Sequence, residues 1–305
     1  MKLSVIVPVW NRCDLVSICL ESVRRGLHEL SGAAEVIVVD DGSEDGSAQM
    51  VANDFPECRL LENGTNRGFA VAANRGMSAG VGEFLLLLNS DTELTAGTLS
   101  ALVALLEEDP QREVVAPRLV DAEGRTQKSC MAWPELSTAF FFGTPMERWQ
   151  PDSREIERYF LRDFDHESAR DDVQPPASCW LMRRKTWERI GEFDQQLELF
   201  FNDVDWAQRL VQAGGKIHYR PEVSVSHVGG ASTTIRPDFV ERWQIDRLRY
   251  YRKHFDWMGG LVVKACVSWT FADWWVRQRL EPATPEKREE SASVQRAFGQ
   301  FMWDE

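Results

Sequence analysis

The chain of 305 residues contains no CxxC pair; its six cysteines, Cys13, Cys19, Cys58, Cys130, Cys179 and Cys266, stand far apart. That spacing excludes a zinc ribbon and a thioredoxin-like redox site, and scattered thiols in a chain of this length read as reduced, mostly buried side chains of a cytosolic protein. Positive charge is scarce: 35 Lys and Arg stand against 48 Asp and Glu, a net charge of −13. A nucleic-acid binder with a basic surface is thereby excluded. Long apolar runs are missing too. No stretch of about 18 uncharged apolar residues exists, so no membrane span is expected. The apolar run Leu3 to Val9 is short, contains Ser4 and Pro8, and lacks a small-residue cleavage site. It reads as a buried first strand rather than a signal peptide. No GxGxxG follows it: the sequence there is Pro8-Val9-Trp10-Asn11-Arg12, which sets aside a nucleotide-dependent dehydrogenase. The glycine-rich, arginine-bearing loop expected of a sugar-1-phosphate nucleotidyltransferase is absent from the same place. No internal repeat is visible.

What is present is an ordinary globular composition, 43% hydrophobic and 27% charged, enough for one large α/β domain with an appendage or for two modest domains. Short apolar runs alternate with helical patterns. Strands are expected at Leu3–Val9, Val36–Val39, Arg59–Leu61 and Phe84–Leu88. Helices are expected at Asp14–Leu27, with Leu15, Ile18, Cys19 and Val23 on one face, at Asp45–Phe55, at Phe69–Ala79, and from about Ala96 with Thr95 as its cap. The charged segment Pro145 to Pro176 reads as an insertion or mobile loop with a short helix near Ile156–Leu161. Beyond it come a strand at Ser178–Met182, a helix over Asp203–Ala213 with Val204, Ala207, Leu210 and Val211 inward, and two strands at Lys216–Tyr219 and Val223–Val225. This alternation implies a mostly parallel sheet covered on both faces, with ligands bound beyond the carboxyl ends of its strands.

Candidate chemistry sits at those strand ends. In Asp40-Asp41-Gly42-Ser43 a carboxylate can accept from a base N–H; the same residues also suit a helix-capping turn. Asn89-Ser90-Asp91 ends the most apolar strand, and Asp91 there suits a hard divalent cation. Asp203, at a helix start, is held toward its ionised form and fits a general base; plain helix-start acidity gives the same pattern. His227 follows the apolar run Val223–Val225; it is either a metal ligand or a structural imidazole. The loop Asn66-Arg67-Gly68, with Asn74 and Arg75 behind it, brings amides and positive charge that suit a phosphate or nucleotide, or else a solvated loop.

Singly these signals are weak; their order is specific. The run SVIVPVWNR…VIVVDDGSEDGS…NRGFAVAANRG…GEFLLLLNSD…GEFD…LFFNDVDWAQRLVQAGGKIHYRPEVSVSHVGGAS resembles the family 2 glycosyltransferases of the GT-A fold, nearest their rhamnosyltransferase-like branch. It covers roughly Leu3 to Ser232. The resemblance implies an α/β GT-A fold with a mostly parallel central sheet flanked by helices and a C-terminal helical extension. It further implies a metal-dependent, inverting hexosyl- or deoxyhexosyltransferase using Mg²⁺ or Mn²⁺. Such an enzyme takes a dTDP- or UDP-sugar as donor and a saccharide or lipid-linked acceptor, in cell-surface polysaccharide synthesis. Pro8, Trp10 and Asn11 match the segment lining the base, and Asp40 and Asp41 the base-contacting acidic pair. Asn66, Gly68 and Asn74 match the loop beside the donor. Ser90 and Asp91 lie in the DxD-type motif, with Asp91 the metal-binding acid. Asp203 matches the catalytic base and His227 an additional metal ligand. Three positions depart from the pattern. Trp10 replaces the usual tyrosine or phenylalanine, Asn89-Ser90-Asp91 carries one acid where some members have two or three, and Asn202 replaces the glutamate before the base. A non-catalytic nucleotide-sugar-binding or scaffold protein on the same fold is the alternative.

The domain division expected is a catalytic domain over 1–235, with a donor half to about 117 and an acceptor half from 118, then a Trp-rich helical segment over 236–280 and a flexible tail over 281–305. Segments 128–144 and 145–176 are expected to meet the acceptor. Between Arg242 and Leu280 lie eight Lys or Arg, three Asp and five tryptophans. Leu261, Ala265, Trp269, Ala272 and Val276 share one helical face there. Such a helix either lies in a membrane interface or packs on protein. A cytoplasmic protein, peripheral on the inner face of the membrane, follows from the first reading; no nucleic-acid partner is expected.

Overall fold

The computed structural model describes residues 1–229, 239–280, 294–299 and 301–303. The chain divides into two compact units. The first comprises residues 1–131, 164–198 and 202–236; the second comprises 132–163, 199–201 and 237–305.

The first unit is built on a mixed eight-stranded sheet. Its strands are β1 (Leu3–Val9), β2 (Ala34–Asp40), β3 (Arg59–Glu62), β4 (Phe84–Leu88), β5 (Thr92–Leu94), β6 (Val114–Val120), β7 (Cys179–Arg183) and β8 (Ile217–His227), in the order β3-β2-β1-β4-β7-β6-β8-β5. Every residue of β1 and β4 is buried, as the unbroken apolar runs require of strands covered on both faces. Pairing is parallel from β3 through β4 and between β6 and β8, and antiparallel where β7 meets β4 and β6 and where β5 meets β8. Pro8 is tolerated in a central strand because the ladder to β4 ends at Ile6 and Leu87, before its missing N–H is needed.

The helices of this unit are α1 (Cys13–Glu29), α2 (Ser47–Asp54), α3 (Phe69–Ala79), α4 (Thr98–Glu108), α8 (Arg184–Ile190) and α9 (Asn202–Gln212). Four sequence expectations are corrected. Ile18 is 49% exposed, and the core face of α1 is Val16, Cys19, Leu20 and Val23. The helix after Asp91 begins at Thr98 behind Gly97, not at a Thr95 cap, because Thr92–Leu94 is drawn into a strand against β8. The inner face of α9 is Trp206, Ala207 and Leu210, with Val211 exposed; Trp206 joins Trp180, Trp187 and Phe193 in an aromatic cluster that outcompetes a valine for buried area. The two strands expected around Pro221 are one. Its pairing with β6 shifts register between Pro117 and Arg118, opposite Arg220 and Ser224, and the slack absorbs a proline without a ladder donor.

The second unit holds α5 (Leu136–Phe141), α6 (Pro145–Trp149), α7 (Arg154–Tyr159) and α10 (Phe239–Leu280). The segment expected to be an insertion or mobile loop therefore contains two short helices, both with side-chain N-caps from Thr144 and Ser153. Arg247 is buried and donates from Nη2 to the carbonyls of Ala139 and Phe142, while the Tyr251 hydroxyl donates to Glu135 O at 3.0 Å. The buried Asp246 carboxylate accepts the amides of Leu199 and Phe200 at 3.0 and 2.8 Å. α10 is broken at Phe255–Asp256, where Asp256 takes φ 54° and ψ −151°. Residues 230–238 and 281–293, which carry the end of the resemblance and most of the expected tail, lie outside the described residues.

Candidate active site

The carboxyl ends of β2, β1 and β4 are neighbours, so the residues after them share one edge of the sheet. Val9 pairs with Asp40, and the β1–β4 ladder runs in register from Leu3–Phe84 to Ile6–Leu87. β7 runs the other way, and Leu88 pairs with Cys179. The residues just before β7 therefore reach the same edge: Asn89 N donates to Ser178 O at 2.9 Å. Asp203 is tied to it in turn, its Oδ2 accepting Ala177 N at 3.2 Å. β5 and β8 bring Thr92 opposite His227, and Val228 N donates to Asp91 O at 3.0 Å.

At the β2 end the acidic pair separates into two jobs. Asp41 gives both oxygens to the loop ahead of α3: Asn63 Nδ2 at 2.7 Å, Arg67 N at 3.0–3.1 Å and Gly68 N at 2.8 Å. Burial pushes its carboxyl above the usual range, and those bonds draw it back. Asp40 holds the turn through Oδ2, which accepts Gly42 N and Ser43 N at 3.1 and 3.0 Å; its Oδ1 is buried with no partner. Two glycines make this packing possible. A Cβ on Gly42 would lie 2.5 Å from the Thr65 backbone, and one on Gly68 would lie 2.7 Å from Glu198 O, both at positive φ. Asn11, at φ 51°, donates its amide to Ser43 Oγ at 3.0 Å and accepts Glu44 N on Oδ1 at 2.7 Å. Trp10 beside it is half-buried.

Three buried atoms at the ends of β1, β2 and β4 have no partner among the described residues: Arg12 Nε, Asp40 Oδ1 and Asn89 Oδ1. Buried polar groups are rarely left so, and these offer a ligand one cationic donor and two acceptors. Arg12 was passed over in the sequence, and Asn89 was read only as the first position of the Asn89-Ser90-Asp91 motif. The signal was their adjacency to Asn11 and Ser90, which a turn-based reading passes over.

At the β4 end Ser90 and Asp91 are buried. His227 Nε2 stands 3.5 Å from Asp91 Oδ1. Burial lowers the imidazole pKa, with Asp91 pulling it upward. On its other side His227 meets Gln127, 100 residues earlier: Nδ1 is 3.1 Å from Gln127 Oε1, and Gln127 Nε2 donates to His227 O at 2.6 Å. A carboxylate oxygen and an imidazole nitrogen, facing each other beyond good hydrogen-bond length, form an O,N donor pair of the kind a divalent cation of the Mn²⁺ type accepts. Among the described residues no group of three or more His, Cys, Asp or Glu converges, so a cation on this pair would take its remaining ligands from a bound diphosphate and water, as Mg²⁺-type sites do.

Asp203 lies in the first turn of α9, half-buried. Its Oδ1 accepts Val204 N at 2.8 Å. Desolvation raises its carboxyl above the ordinary aspartate value, partly offset by the amides of Ala177 and Val204. A carboxylate with raised basicity at a cleft edge can take a proton from a hydroxyl. Asp205 points elsewhere: fully buried, it pairs with Arg209 at 3.0 Å.

The loop residues are less concentrated than expected. Asn66 and Arg67 are exposed. Asn74 spends both ends of its amide on Phe193, donating to its carbonyl and accepting its N–H, each at 2.8 Å. It fastens the Gly191-Glu192-Phe193-Asp194 segment to α3.

A mixed sheet of this strand order, flanked by helices, is the arrangement of the GT-A fold. The solved mannosyltransferase PcManGT from Pyrobaculum calidifontis, in complex with GDP-Man and Mn²⁺, matches with a TM-score of 0.53 at 17% identity, over 100% of this chain and 88% of that one. S. aureus TarS matches with a TM-score of 0.53 at 20% identity, over 84% of this chain; the chain spans only 44% of TarS. These likenesses show the fold. The chain belongs to glycosyl transferase family 2, whose description it matches over residues 4–191. The N-acetylglucosaminyl-diphospho-decaprenol L-rhamnosyltransferase of Mycobacterium tuberculosis is 29% identical over 231 residues, 69% of this chain and 73% of the relative.

Proposed function

We propose that this glycosyltransferase moves a hexosyl or deoxyhexosyl group, with inversion, from a dTDP- or UDP-sugar to a saccharide or lipid-linked acceptor of cell-surface polysaccharide synthesis. The observation that carries the reading is the Asp91–His227 pair, two electron-pair donors 3.5 Å apart on the edge that also holds Asp203. The rhamnosyltransferase relative, whose name specifies a diphospho-decaprenol acceptor, supports the substrate class.

In this reading Trp10 stacks on the base and Asp40 Oδ1 accepts its N–H. Asp91 and His227 hold a divalent cation, which when bound neutralises charge on the diphosphate. Asp203 takes the proton of the acceptor hydroxyl as that oxygen bonds to the anomeric carbon. The bond from that carbon to the diphosphate oxygen breaks, and the nucleoside diphosphate leaves with the electron pair. General-base assistance of this kind contributes roughly 10²–10⁴-fold, and fixed donors at the sheet edge contribute through positioning.

Among the described residues no helix is long and apolar enough to cross a membrane. Peripheral attachment to the inner face of a membrane is supported by α10, whose Leu261, Ala265, Ala272 and Val276 face is exposed while Val263, Cys266 and Val267 are buried.

The test is a donor panel with and without Mn²⁺ or Mg²⁺, following release of nucleoside diphosphate. Metal-dependent release from one donor, lost in Asp91→Ala, is the expected result. Failure of any nucleoside diphosphate to bind would remove the proposal.

A further inference from the structure

Gln127 stands outside every motif of the sequence, yet its side chain makes two contacts to one residue of the candidate metal pair. It follows the tight hairpin that closes β6, where Asp121 Oδ1 accepts the amides of Glu123 and Arg125 at 3.0 and 2.9 Å. Its own amide is fixed to Leu119 O at 2.9 Å. Leu119 pairs with Val225 and Val120 with Ser226, so the register of β6 against β8 sets Gln127 level with the end of β8.

Donor and acceptor chemistry leaves one arrangement. The His227 carbonyl can only accept, so the group 2.6 Å from it must be the Gln127 NH₂. The amide oxygen then faces His227 Nδ1 at 3.1 Å and can only accept, so Nδ1 carries the hydrogen. In a neutral ring the other nitrogen, Nε2, is left with its lone pair, and that is the nitrogen facing Asp91 Oδ1 at 3.5 Å. The opposite tautomer would set the Nδ1 lone pair against the amide oxygen and leave Gln127 Oε1 without a donor there.

We infer that Gln127 is a positioning residue: it holds His227 in the Nδ1–H tautomer and in the orientation that presents Nε2 beside Asp91, so that cation binding at the nucleotide diphosphate depends on it. The inference rests on the donor-site reading proposed above. Outer partners of this kind fix the tautomer and direction of a ligating imidazole.

The test uses the full-length protein and two readouts. In metal-free protein labelled at histidine nitrogens, long-range ¹H–¹⁵N correlations report the His227 tautomer, assigned by its loss in His227→Asn. Wild type is expected to show Nδ1–H. Gln127→Leu, similar in size and without polar atoms, is expected to shift toward Nε2–H. Separately, free Mn²⁺ is measured by electron paramagnetic resonance in the presence of UDP or dTDP. Gln127→Leu is expected to weaken Mn²⁺ binding about 10–100-fold. An unchanged tautomer or unchanged Mn²⁺ affinity in Gln127→Leu overturns the inference, as does an Nε2–H tautomer in wild type. Should wild type bind no Mn²⁺ with either nucleotide, the donor-site reading fails instead, and the tautomer spectra still decide whether Gln127 sets the ring.

Discussion

Asp40 and Asp41 are consecutive, and their carboxylates face opposite duties: Asp41 spends both oxygens on Asn63, Arg67 and Gly68, while Asp40 keeps a buried Oδ1 free beside the turn it holds with Oδ2. One shapes the loop, the other is open to a ligand. The difference follows from strand alternation, which sends neighbouring side chains to opposite sides.

The two substitutions should therefore separate binding from stability. In Asp40→Asn the amide keeps an oxygen toward Gly42 N and Ser43 N and turns its NH₂ to where Oδ1 was. That converts an acceptor for a base N–H into a donor. UDP or dTDP affinity measured by calorimetry is expected to fall about tenfold or more, the worth of a lost buried hydrogen bond, with little change in melting temperature. Asp41→Asn places an NH₂ against backbone donors, and denaturant unfolding should show a loss of about 1–3 kcal/mol. Equal loss of nucleotide affinity and stability in both would contradict the division.

Asp203→Asn removes the group assigned to take the acceptor proton. Its turnover is expected to drop by roughly 10²–10⁴-fold while donor affinity holds. The sign of the pH effect follows from the direction of the shift. A base works ionised, so wild-type activity rises with pH through the Asp203 pKa, and desolvation raises that pKa. The acid limb of kcat/KM therefore lies at higher pH than an ordinary aspartate would place it, and it disappears in the mutant's residual rate. An Asp203→Asn enzyme with normal turnover would leave the base elsewhere.

Gly68→Ala tests the close approach behind the loop. The backbone there takes φ 92°, and the new methyl would meet Glu198 O at 2.7 Å. Strain of this kind costs on the order of 1–3 kcal/mol. Stability should fall by that amount, with nucleotide affinity, since Asp41 bonds the same amide. Gly64→Ala, also at positive φ but with nothing within 4 Å, is the control and should cost less.

How far the sequence carried depended on the range of the forces involved. β1, α3 and β4 have the bounds expected from periodicity, because unbroken apolar runs between turn residues leave little choice. Placement of Asp40, Asp91 and His227 on one sheet edge follows from their strand-end positions, while Asp203, in the first turn of α9, reaches it through Ala177. What was not legible is settled by partners far along the chain. Gln127 meets His227 across 100 residues and Asn74 meets Phe193 across 119, and no local pattern announces either. Asn74 illustrates the cost: an asparagine beside a glycine loop reads as a ligand contact, and its amide is in fact occupied by a backbone. β5 was lost because three residues paired to the end of β8 carry no period of their own.

The second half of α10 supplies the last prediction. After the break at Phe255–Asp256 the helix exposes Trp257 (74%), Leu261 (61%), Val276 (51%) and Leu280 (80%), while Trp269 packs on Phe140 and Trp149. Arg279 lies over the Trp275 ring at 3.5 Å, a cation held beside an apolar surface. Burying each large apolar side chain in a lipid interface is worth up to about 1.5–3 kcal/mol, and arginines favour anionic headgroups at low salt. The protein is therefore expected to sediment with vesicles of phosphatidylglycerol more than with phosphatidylcholine. Leu261→Glu should weaken that binding about tenfold or more without lowering the melting temperature, because Leu261 faces water. Absence of binding to anionic vesicles at low salt would remove the membrane assignment. Binding that Leu261→Glu leaves intact would move it to another surface of the chain.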